Sequence, residues 1–236
     1  MTRTPIWSSI ADALTAEIAD GSYGPGAKLP TEAFLAQRFG VNRHTVRHAL
    51  AALAEAGLVQ ARRGAGVFVT LVPTEYPLGR RVRFHQNVLA SGRAPSRRLL
   101  RIETRPASAA EAEALDLPVS TTVHVVEGIS LVDGLPMGLF HSVLPAGRFP
   151  AFPEVLVRLA SIPAALAEAG VADYTRASTR LTATLADAVQ AGHLALPQGA
   201  PLLRSVTVNV DVGGRPVEFG ITHFVSDRVT LTVVPD

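Results

Sequence analysis

The sequence contains no cysteine, which excludes disulfide bonds, thiolate metal sites and cysteine nucleophiles. It has no run of about 18 apolar residues, so it predicts no membrane-spanning helix. The first residues, Met1 to Pro5, lack the apolar segment of a signal peptide. From these absences we expect a cytoplasmic protein.

Motifs of common enzyme classes are missing as well. The sequence has no Gly-x-Ser-x-Gly nucleophile elbow, no helical His-Glu-x-x-His metal motif and no complete dinucleotide-binding fingerprint. The loop from Gly21 to Lys28 is a poor phosphate loop, because Pro25 removes an amide donor and no Ser or Thr follows Lys28. We therefore expect no enzymatic activity, no cofactor and no metal site.

Charge is scarce, and it is unevenly distributed. The formal net charge of the 236 residues is only +2. Residues 1–70 carry seven Lys or Arg and five Asp or Glu, and residues 71–105 carry eight Arg and two Glu. Residues 106–236 reverse the balance, with seven Arg and thirteen Asp or Glu. A basic N-terminal part and an acidic C-terminal part suggest that the N-terminal part contacts a polyanion, although a solvated charged face would give the same counts.

Three helices are predicted in the first 60 residues. The first begins near Thr4-Pro5, ends at Gly21 and buries one stripe, formed by Ile6, Ile10, Leu14 and Ile18. Thr31 caps a short second helix that Gly40 ends, and Asn42 caps a third that runs to about Ala56. Two short helices joined at Gly40-Val41-Asn42 are typical of a helix-turn-helix.

The third helix has the two faces of a DNA-recognition helix. Its predicted buried face is formed by Val46, Ala49, Leu50 and Leu53. Arg43 and Arg47 share another face, with His44 and His48 nearby, so long donors lie at the end that reaches base edges. Two short strands follow, around the basic, glycine-rich tip Arg62-Arg63-Gly64-Ala65-Gly66. This hairpin is typical of a wing that contacts the phosphate backbone or the minor groove.

These residues resemble the DNA-binding domain of the GntR family over about residues 1–70. The motifs that carry the resemblance are Leu29-Pro30-Thr31-Glu32, Gly40-Val41-Asn42-Arg43, Thr45-Val46-Arg47, Gly57-Leu58-Val59 and Arg63-Gly64-Ala65-Gly66-Val67-Phe68-Val69. The resemblance implies that Arg43, Thr45 and Arg47 contact an operator, with Arg63 and Gly64 in the wing. Our full DNA-binding prediction is Thr31, Asn42, Arg43, His44, Thr45, Arg47, His48, Arg63, Gly64 and Gly66.

One departure from the family pattern concerns the residue after Glu32. Many members of the family carry an arginine there that reaches DNA, whereas this chain has Ala33. The protein must lose that contact or replace it, for example from His44 or His48. The operator sequence of a relative is therefore not transferable.

A linker is predicted at residues 71–79, because Pro73 and Pro77 favour a stiff extended segment. Arg80, Arg81 and Arg83 follow, ahead of a predicted helix from Phe84 to Ala90. This cluster either steadies the linker against DNA or collects an anionic ligand near a helix N-terminus. The sequence leaves these alternatives open, together with a purely solvent-exposed role.

The remainder of the chain contains an internal duplication. Arg97, Arg101 and Ile102 recur 79 residues later as Arg176, Arg180 and Leu181, and the cap Ser108 recurs as Asp187. The turn Asp133-Gly134-Leu135-Pro136 recurs as Gly213-Gly214-Arg215-Pro216. Each copy is predicted as strand, helix, strand, tight turn and strand. Two copies can form one antiparallel sheet with helices on one side, an α+β domain.

Residues 80–236 resemble the UTRA effector domain of the HutC subfamily of GntR regulators, which has the fold of chorismate lyase. The opening Phe84-His85-Gln86-Asn87-Val88-Leu89 and the segment Pro95-Ser96-Arg97-Arg98-Leu99-Leu100 are most similar to phosphonate-utilisation regulators. The residues that we predict to bind an effector are Arg81, Arg83, Phe84, Ser130, His141, Glu218 and Phe224. Relatives that bind sugar phosphates carry arginines where this chain has Gly128 and Ser130, which argues against a sugar phosphate bound in that manner.

The sequence therefore predicts an α+β protein with a winged helix-turn-helix at 1–70 and a ligand-sensing, dimerising domain at 80–236. The predicted function is that of a homodimeric repressor that binds a palindromic operator in double-stranded DNA and is released by a small molecule. That molecule is expected to be an anion such as a phosphonate or a related metabolite. The alternatives are a lyase-like enzyme fused to a DNA-binding domain and a DNA-binding protein without an effector.

Overall fold

The structure, a computed structural model, describes residues 5–62, 64–79, 88–89 and 92–233. It separates the chain into two units, residues 1–72 and residues 73–236. Among the described residues no helix is long and apolar enough to cross a membrane.

Three helices form the core of the first unit, α1 (Ile6–Ala19), α2 (Glu32–Phe39) and α3 (Arg43–Glu55). The predicted caps of α2 and α3 are confirmed. Thr31 Oγ1 accepts a hydrogen bond from the Phe34 amide at 3.3 Å, and Asn42 Oδ1 accepts one from the Thr45 amide at 2.8 Å. Gly40 ends α2 with a φ of +65°, a left-handed conformation that favours glycine.

The buried face of α3 is the predicted one, since Val46, Ala49, Leu50 and Leu53 are all buried. The predicted stripe of α1 is only partly correct. Ile10 and Leu14 are buried, but Ile6 is 64% exposed. Ile6 is the first residue of the helix. Ile6 keeps the 3.6-residue spacing of the stripe, but at the first position of the helix it extends beyond the residues that cover the rest of the stripe.

A two-stranded antiparallel hairpin follows, β1 (Val59–Arg62) and β2 (Gly66–Val69). The glycine- and proline-rich loop before α2 pairs with it, because the Leu29 amide donates to Val67 O and the Val69 amide donates to Ala27 O, both at 2.9 Å. The predicted wing is thus a hairpin anchored on the loop that leads into α2.

The second unit contains a six-stranded antiparallel sheet with strands β4 (Pro95–Pro106), β5 (Thr122–Val132), β6 (Leu135–Pro145), β7 (Tyr174–Leu185), β8 (Pro201–Asp211) and β9 (Pro216–Val225). The strand order in the sheet is β4-β5-β6-β9-β8-β7. Four helices with described bounds accompany the sheet in residues 92–233, α4 (Ala109–Ala114), α5 (Phe152–Leu159), α6 (Ile162–Glu168) and α7 (Ala188–Leu194). The fold is α+β, as predicted.

Helices cover both faces of the sheet, which corrects the prediction of helices on one side. On the face that we call inner, Phe140 of β6 packs with Phe152 of α5 and Ile162 of α6. On the outer face, α4 packs on Val143 and α7 packs beside Leu139. The extra helices α5 and α6 lie between the two repeats, where the duplicated pattern carries no signal for them.

The internal duplication is confirmed. The repeats β4-α4-β5-β6 and β7-α7-β8-β9 meet where β6 pairs with β9, so an approximate two-fold axis relates them. Ser108 and Asp187 both begin their helices with a complete capping box. A bulge follows each tight turn at the equivalent position, Met137 in one copy and Val217 in the other.

Part of the predicted linker is a strand of the second unit. Residues Thr74–Pro77 form β3, which pairs in parallel with β10 (Val229–Thr232). Arg93 ties this strand to the first tight turn, since its Nη1 donates to Thr74 Oγ1 at 2.6 Å and its Nε donates to Asp133 at 2.7 Å. The two prolines predicted an extended segment but gave no information on its pairing partner.

The buried carboxylate of Glu111 in α4 gives a testable pH dependence. Two hydrogen bonds from Arg105, each of 2.7 Å, and contacts with Ser108 lower the pKa of Glu111 to about 2. The stabilisation is therefore complete above the ordinary glutamate pKa of 4.5 and is lost as the pH falls towards 2. Replacing Glu111 with glutamine, which can still form the capping box, should cost about 3 kcal/mol at pH 7.

The measurement is urea unfolding of the wild type and of Glu111→Gln at pH 7 and near pH 3. The difference between the two proteins should shrink at the lower pH. Glu113→Gln is the control, because Glu113 is an exposed carboxylate on the same helix. A difference that stays constant with pH would show that the lost stability is steric and not electrostatic.

Candidate DNA-binding surface and effector site

Arg43, His44 and Arg47 are exposed on the N-terminal half of α3. Arg47 forms a two-point contact with Glu32 at the start of α2, with Nε–Oε1 at 3.2 Å and Nη2–Oε2 at 2.9 Å. These hydrogen bonds lower the pKa of Glu32 and raise that of Arg47, so both groups stay charged. The Arg47 side chain is nevertheless 66% exposed and can reach a ligand outside the protein.

His48 has a partner inside the first unit. Its ring stacks on Trp7 of α1, with the ring centroids 4.4 Å apart. His44 and His48 are both exposed, but the His48 ring is held against Trp7, so we predict that His44 is the better placed to compensate for the missing arginine at Ala33. The side-chain oxygens of Thr31 and Asn42 are used as caps, and Thr45 Oγ1 donates to Asn42 Oδ1 at 3.0 Å. We predict that these three residues act on DNA mainly by orienting the starts of α2 and α3.

The tip of the hairpin is a tight turn closed by the Ala65 amide, which donates to Arg62 O at 2.9 Å. Gly66 has a φ of +115°, and a Cβ there would lie 2.8 Å from Lys28 Cε. Because the end of the Lys28 side chain can move, the positive φ is what favours glycine at position 66, a role that is structural. The Arg62 guanidinium lies 4.8 Å from the Phe68 ring centroid. The predicted DNA contact Arg63 lies outside the described residues.

Glu218 lies on the inner face of the sheet and is only 8% exposed. Its Oε2 accepts a hydrogen bond from Asn209 Nδ2 at 2.8 Å. Asn209 in turn is the cross-strand neighbour of Arg176. Arg176 Nη2 donates to the hydroxyl of Tyr76 at 3.2 Å, so β3 from the predicted linker contributes to this site. Arg176, Asn209 and Glu218 therefore form one row across three strands.

The equivalent row of the first repeat lies on the same face. Arg97, Ser130, Gly138 and Phe224 are successive cross-strand neighbours from β4 to β9. The two rows meet through Tyr76, whose ring centroid is 5.4 Å from that of Phe224. Three predicted effector residues, Ser130, Glu218 and Phe224, thus lie on one face of the sheet, Ser130 and Phe224 in one row and Glu218 in the other.

Two arginines that the sequence marks only as landmarks of the duplication, Arg97 and Arg176, also lie on this face. Arg97 Nε and the Nε and Nη1 of Arg176 are buried, with no hydrogen-bond partner among the described residues. The Arg97 guanidinium lies 5.3 Å from the Phe140 ring centroid. Burial lowers the pKa of Arg97, because the guanidinium loses its hydration, while the charge of Glu218 opposes this shift. In the sequence, the signal that could have pointed to these two residues is that both repeats have an arginine at this position.

His141 is not part of this group. It is next to Phe140 on β6 and therefore points to the outer face. There its Nδ1 lies 3.0 Å from Glu127 Oε1 and its Nε2 lies 3.5 Å from Glu111 Oε1. The expectation that His141 shares a site with Glu218 is not supported by this placement. The other predicted effector residues, Arg81, Arg83 and Phe84, lie outside the described residues, as does the rest of the predicted helix up to residue 87.

Phe140 also explains why position 128 has no side chain. A Cβ on Gly128 would lie 2.5 Å from Phe140 Cζ and 2.7 Å from the carbonyl oxygen of Arg98. Phe140 occupies the space that a larger side chain at 128 would need. An arginine at this position is thus excluded unless Phe140 and the neighbouring strand move.

Comparison with known families assigns both units. The family described as "Bacterial regulatory proteins, gntR family" matches residues 7–69, and the family described as "UTRA domain" matches residues 90–230. A protein of Rhizobium meliloti (strain 1021) named "Uncharacterized HTH-type transcriptional regulator RB1450" is 40% identical over 229 residues, 97% of this chain and 94% of its own.

Two further comparisons cover nearly the whole chain. "Probable transcriptional regulator PhnF" of Escherichia coli (strain K12) is 34% identical over 213 residues, 89% of this chain and 88% of its own. The crystal structure of PhnF from Mycobacterium smegmatis superposes with a TM-score of 0.68 and 29% identity, and the match covers 96% of this chain and 99% of that one.

Proposed function

Because the chain belongs to the GntR family of regulators and carries a UTRA domain, we propose that it is a homodimeric repressor released from its operator by a small-molecule effector. The observation that carries the proposal is the exposure of Arg43 and Arg47 on the N-terminal half of a capped α3, the part of a recognition helix that enters the major groove. A relative 26% identical over 236 residues, from Bacillus subtilis (strain 168), is named "HTH-type transcriptional repressor NagR".

DNA binding would use two copies of α3. A dimer presents them to successive major grooves, so the operator should be an inverted repeat whose half-sites are about 10 bp apart. Arg43 and the arginines of the hairpin would supply much of the affinity through phosphate contacts, which makes binding strongly dependent on salt, while Arg47 would contact a base.

Effector binding would act through the inner-face site of the second unit. The ligand must prefer the dimer geometry in which the two copies of α3 no longer match both half-sites. A coupling of about 1–3 kcal/mol between the ligand and DNA is typical of such switches. Ser130, Glu218 and Phe224, together with Arg97 and Arg176, are the residues that we assign to ligand binding.

The test is selection of binding sites from a random duplex library with the full chain at low salt. We expect the selected sequence to be an inverted repeat protected by one dimer. The logarithm of the binding constant should fall steeply and linearly with the logarithm of the salt concentration. A recovered site without two-fold symmetry would contradict the dimeric arrangement. Failure to bind any duplex at low salt would overturn the proposed function as a whole.

A further inference from the structure

Lys28 is the only lysine among the 22 Lys and Arg residues of the chain. It is exposed in the loop before α2 and pairs with Phe68 of β2 as an isolated antiparallel bridge. The loop thus adds a third, strand-like segment to the hairpin, on the edge of β2 that β1 leaves open. Lys28 therefore belongs to the same small sheet as the predicted wing, although it lies outside the hairpin in the sequence.

The two faces of this small sheet differ in polarity. Side chains alternate between the faces along each strand, so the pairing places Lys28, Phe68 and Arg62 on one face. The other face carries Val59 and Val69, which are buried in the core of the first unit. The face with the two basic residues, which we call the cationic face, points away from that core.

The two cations of the cationic face flank one aromatic ring and one glycine. The Arg62 guanidinium lies 4.8 Å and Lys28 Nζ lies 6.0 Å from the Phe68 ring centroid. Gly66 is the cross-strand neighbour of Arg62, and the Lys28 side chain lies close to it on the other side. Because glycine has no side chain, no side chain of β2 stands between the two cations at this position.

This arrangement brings like charges together on one face, where they repel each other. Within the part of the chain that the structure describes, no carboxylate forms an ion pair with Lys28. Glu17 pairs with Arg38 of α2 instead, and Glu32 pairs with Arg47 of α3. An anion from outside the protein, placed between the two cations, would offset their repulsion.

We propose that Lys28 and Arg62 bind one backbone phosphate of duplex DNA between them, over Gly66. The planar guanidinium suits two of the phosphate oxygens, and the lysine ammonium is a flexible point charge for a third. The proposal rests on the proposed function, because it takes the hairpin to lie along DNA. One phosphate would then fix both the hairpin and the loop that leads into α2, and contacts of this kind set the register of a protein on a duplex.

The single lysine permits a chemical test on the unchanged protein. N-hydroxysuccinimidyl acetate modifies amines, and mass spectrometry of the peptide that contains Lys28 gives its rate of acetylation. We expect a saturating random-sequence duplex at low salt to slow this rate roughly fivefold or more, and high salt to remove the protection. An unprotected Lys28 on protein that is fully bound to DNA would overturn the proposal.

Arg158→Lys is the matched control for this test. It places a second lysine at an exposed position of α5 in the second unit. DNA should leave the acetylation rate of this added lysine unchanged while it protects Lys28 in the same sample. Equal protection of both lysines would show a general effect of DNA on the reagent, and the protection would no longer support the proposal.

The salt dependence of binding gives the number of phosphates that the two residues contact. Lys28→Gln and Arg62→Gln should each weaken DNA binding about threefold to tenfold, because each leaves the phosphate with one cation. The double variant should reduce the slope of log binding constant against log salt concentration by about 1, the value for one phosphate. Lys28→Arg keeps the charge and should keep the wild-type slope.

Two results would contradict the shared phosphate. A reduction of the slope by about 2 in the double variant would show that the two residues contact separate phosphates. A loss of affinity on the selected operator alone would show a base contact, because a phosphate contact should weaken operator and random duplex equally. Thermal unfolding checks that each variant is folded, and the acetylation test does not depend on the variants.

The wild-type protein separates this proposal from the proposed function. If it binds neither duplex at low salt, the proposed function fails. If it binds DNA while Lys28 stays unprotected and both single variants keep the wild-type affinity and slope, the shared phosphate site alone is wrong.

Discussion

Replacing Arg47 with alanine is expected to weaken operator binding by about 1–3 kcal/mol, the value of a bidentate contact with a guanine. The side chain is exposed and charged, and its contact with Glu32 holds the guanidinium on the α2 side of α3. Fluorescence anisotropy with the selected operator and with a random duplex of equal length gives the two affinities. The loss should be much larger on the operator than on the random duplex.

The comparison between the two duplexes identifies the kind of contact. An equal loss on both would show that Arg47 contacts phosphate and does not read a base. Arg158→Ala is the matched control, because it removes one exposed arginine from α5 in the second unit. It should leave both affinities nearly unchanged. Glu32→Gln tests the positioning, since it frees Arg47 while keeping its charge, and it should weaken operator binding less than Arg47→Ala does.

Replacing Leu35 with alanine is expected to destabilise the first unit by about 2–5 kcal/mol, the range for a fully buried leucine. Leu35 has no exposed surface and lies in the core that α1, α2 and α3 share with the hairpin. A loss of this size is a large part of the stability of a small unit. Hydrogen exchange followed by mass spectrometry should show faster exchange in α1, α2 and α3, while the six-stranded sheet keeps its protection.

The adjacent residue provides the control. Phe34 is larger than Leu35 but is 56% exposed on the same helix. Phe34→Ala should therefore change stability by no more than about 0.5 kcal/mol, as is usual for surface positions. Its effect on DNA binding is a separate readout. If both substitutions destabilised the unit equally, the orientation of α2 in this structure would be wrong.

Features that depend on neighbouring residues were predicted well. The caps Thr31, Asn42, Ser108 and Asp187 and the turn at Gly40 all lie where the sequence placed them. Each consists of a side chain or a backbone conformation that acts within four residues, so local sequence is enough. The internal duplication was also predicted from local patterns, because the same caps and turns occur in both copies at nearly the same spacing.

Features that depend on contacts between distant residues were not predicted. Arg97 and Arg101 both recur in the second copy, yet Arg97 and Arg176 have buried nitrogens that find no hydrogen-bond partner within the described residues, while the Arg101 side chain is 57% exposed. The bulge between Leu99 and Arg101 changes the alternation of faces within β4, and the sequence gives no sign of it. His141 was assigned to the effector site because it lies on β6, the strand that pairs with the strand of Glu218. Its side chain, however, points to the outer face of the sheet.

The sequence by itself determined the recognition helix, the hairpin, the two repeats and the family, because each is a short-range pattern of caps, turns and periodic apolar residues. The tertiary structure alone decided which charges are removed from water. Burial depends on the pairing of β6 with β9 and on the return of β3 to β10, contacts between residues far apart in the chain. That pairing places Arg97, Arg176 and Glu218 on one face of the sheet, although they lie up to 121 positions apart, from Arg97 to Glu218.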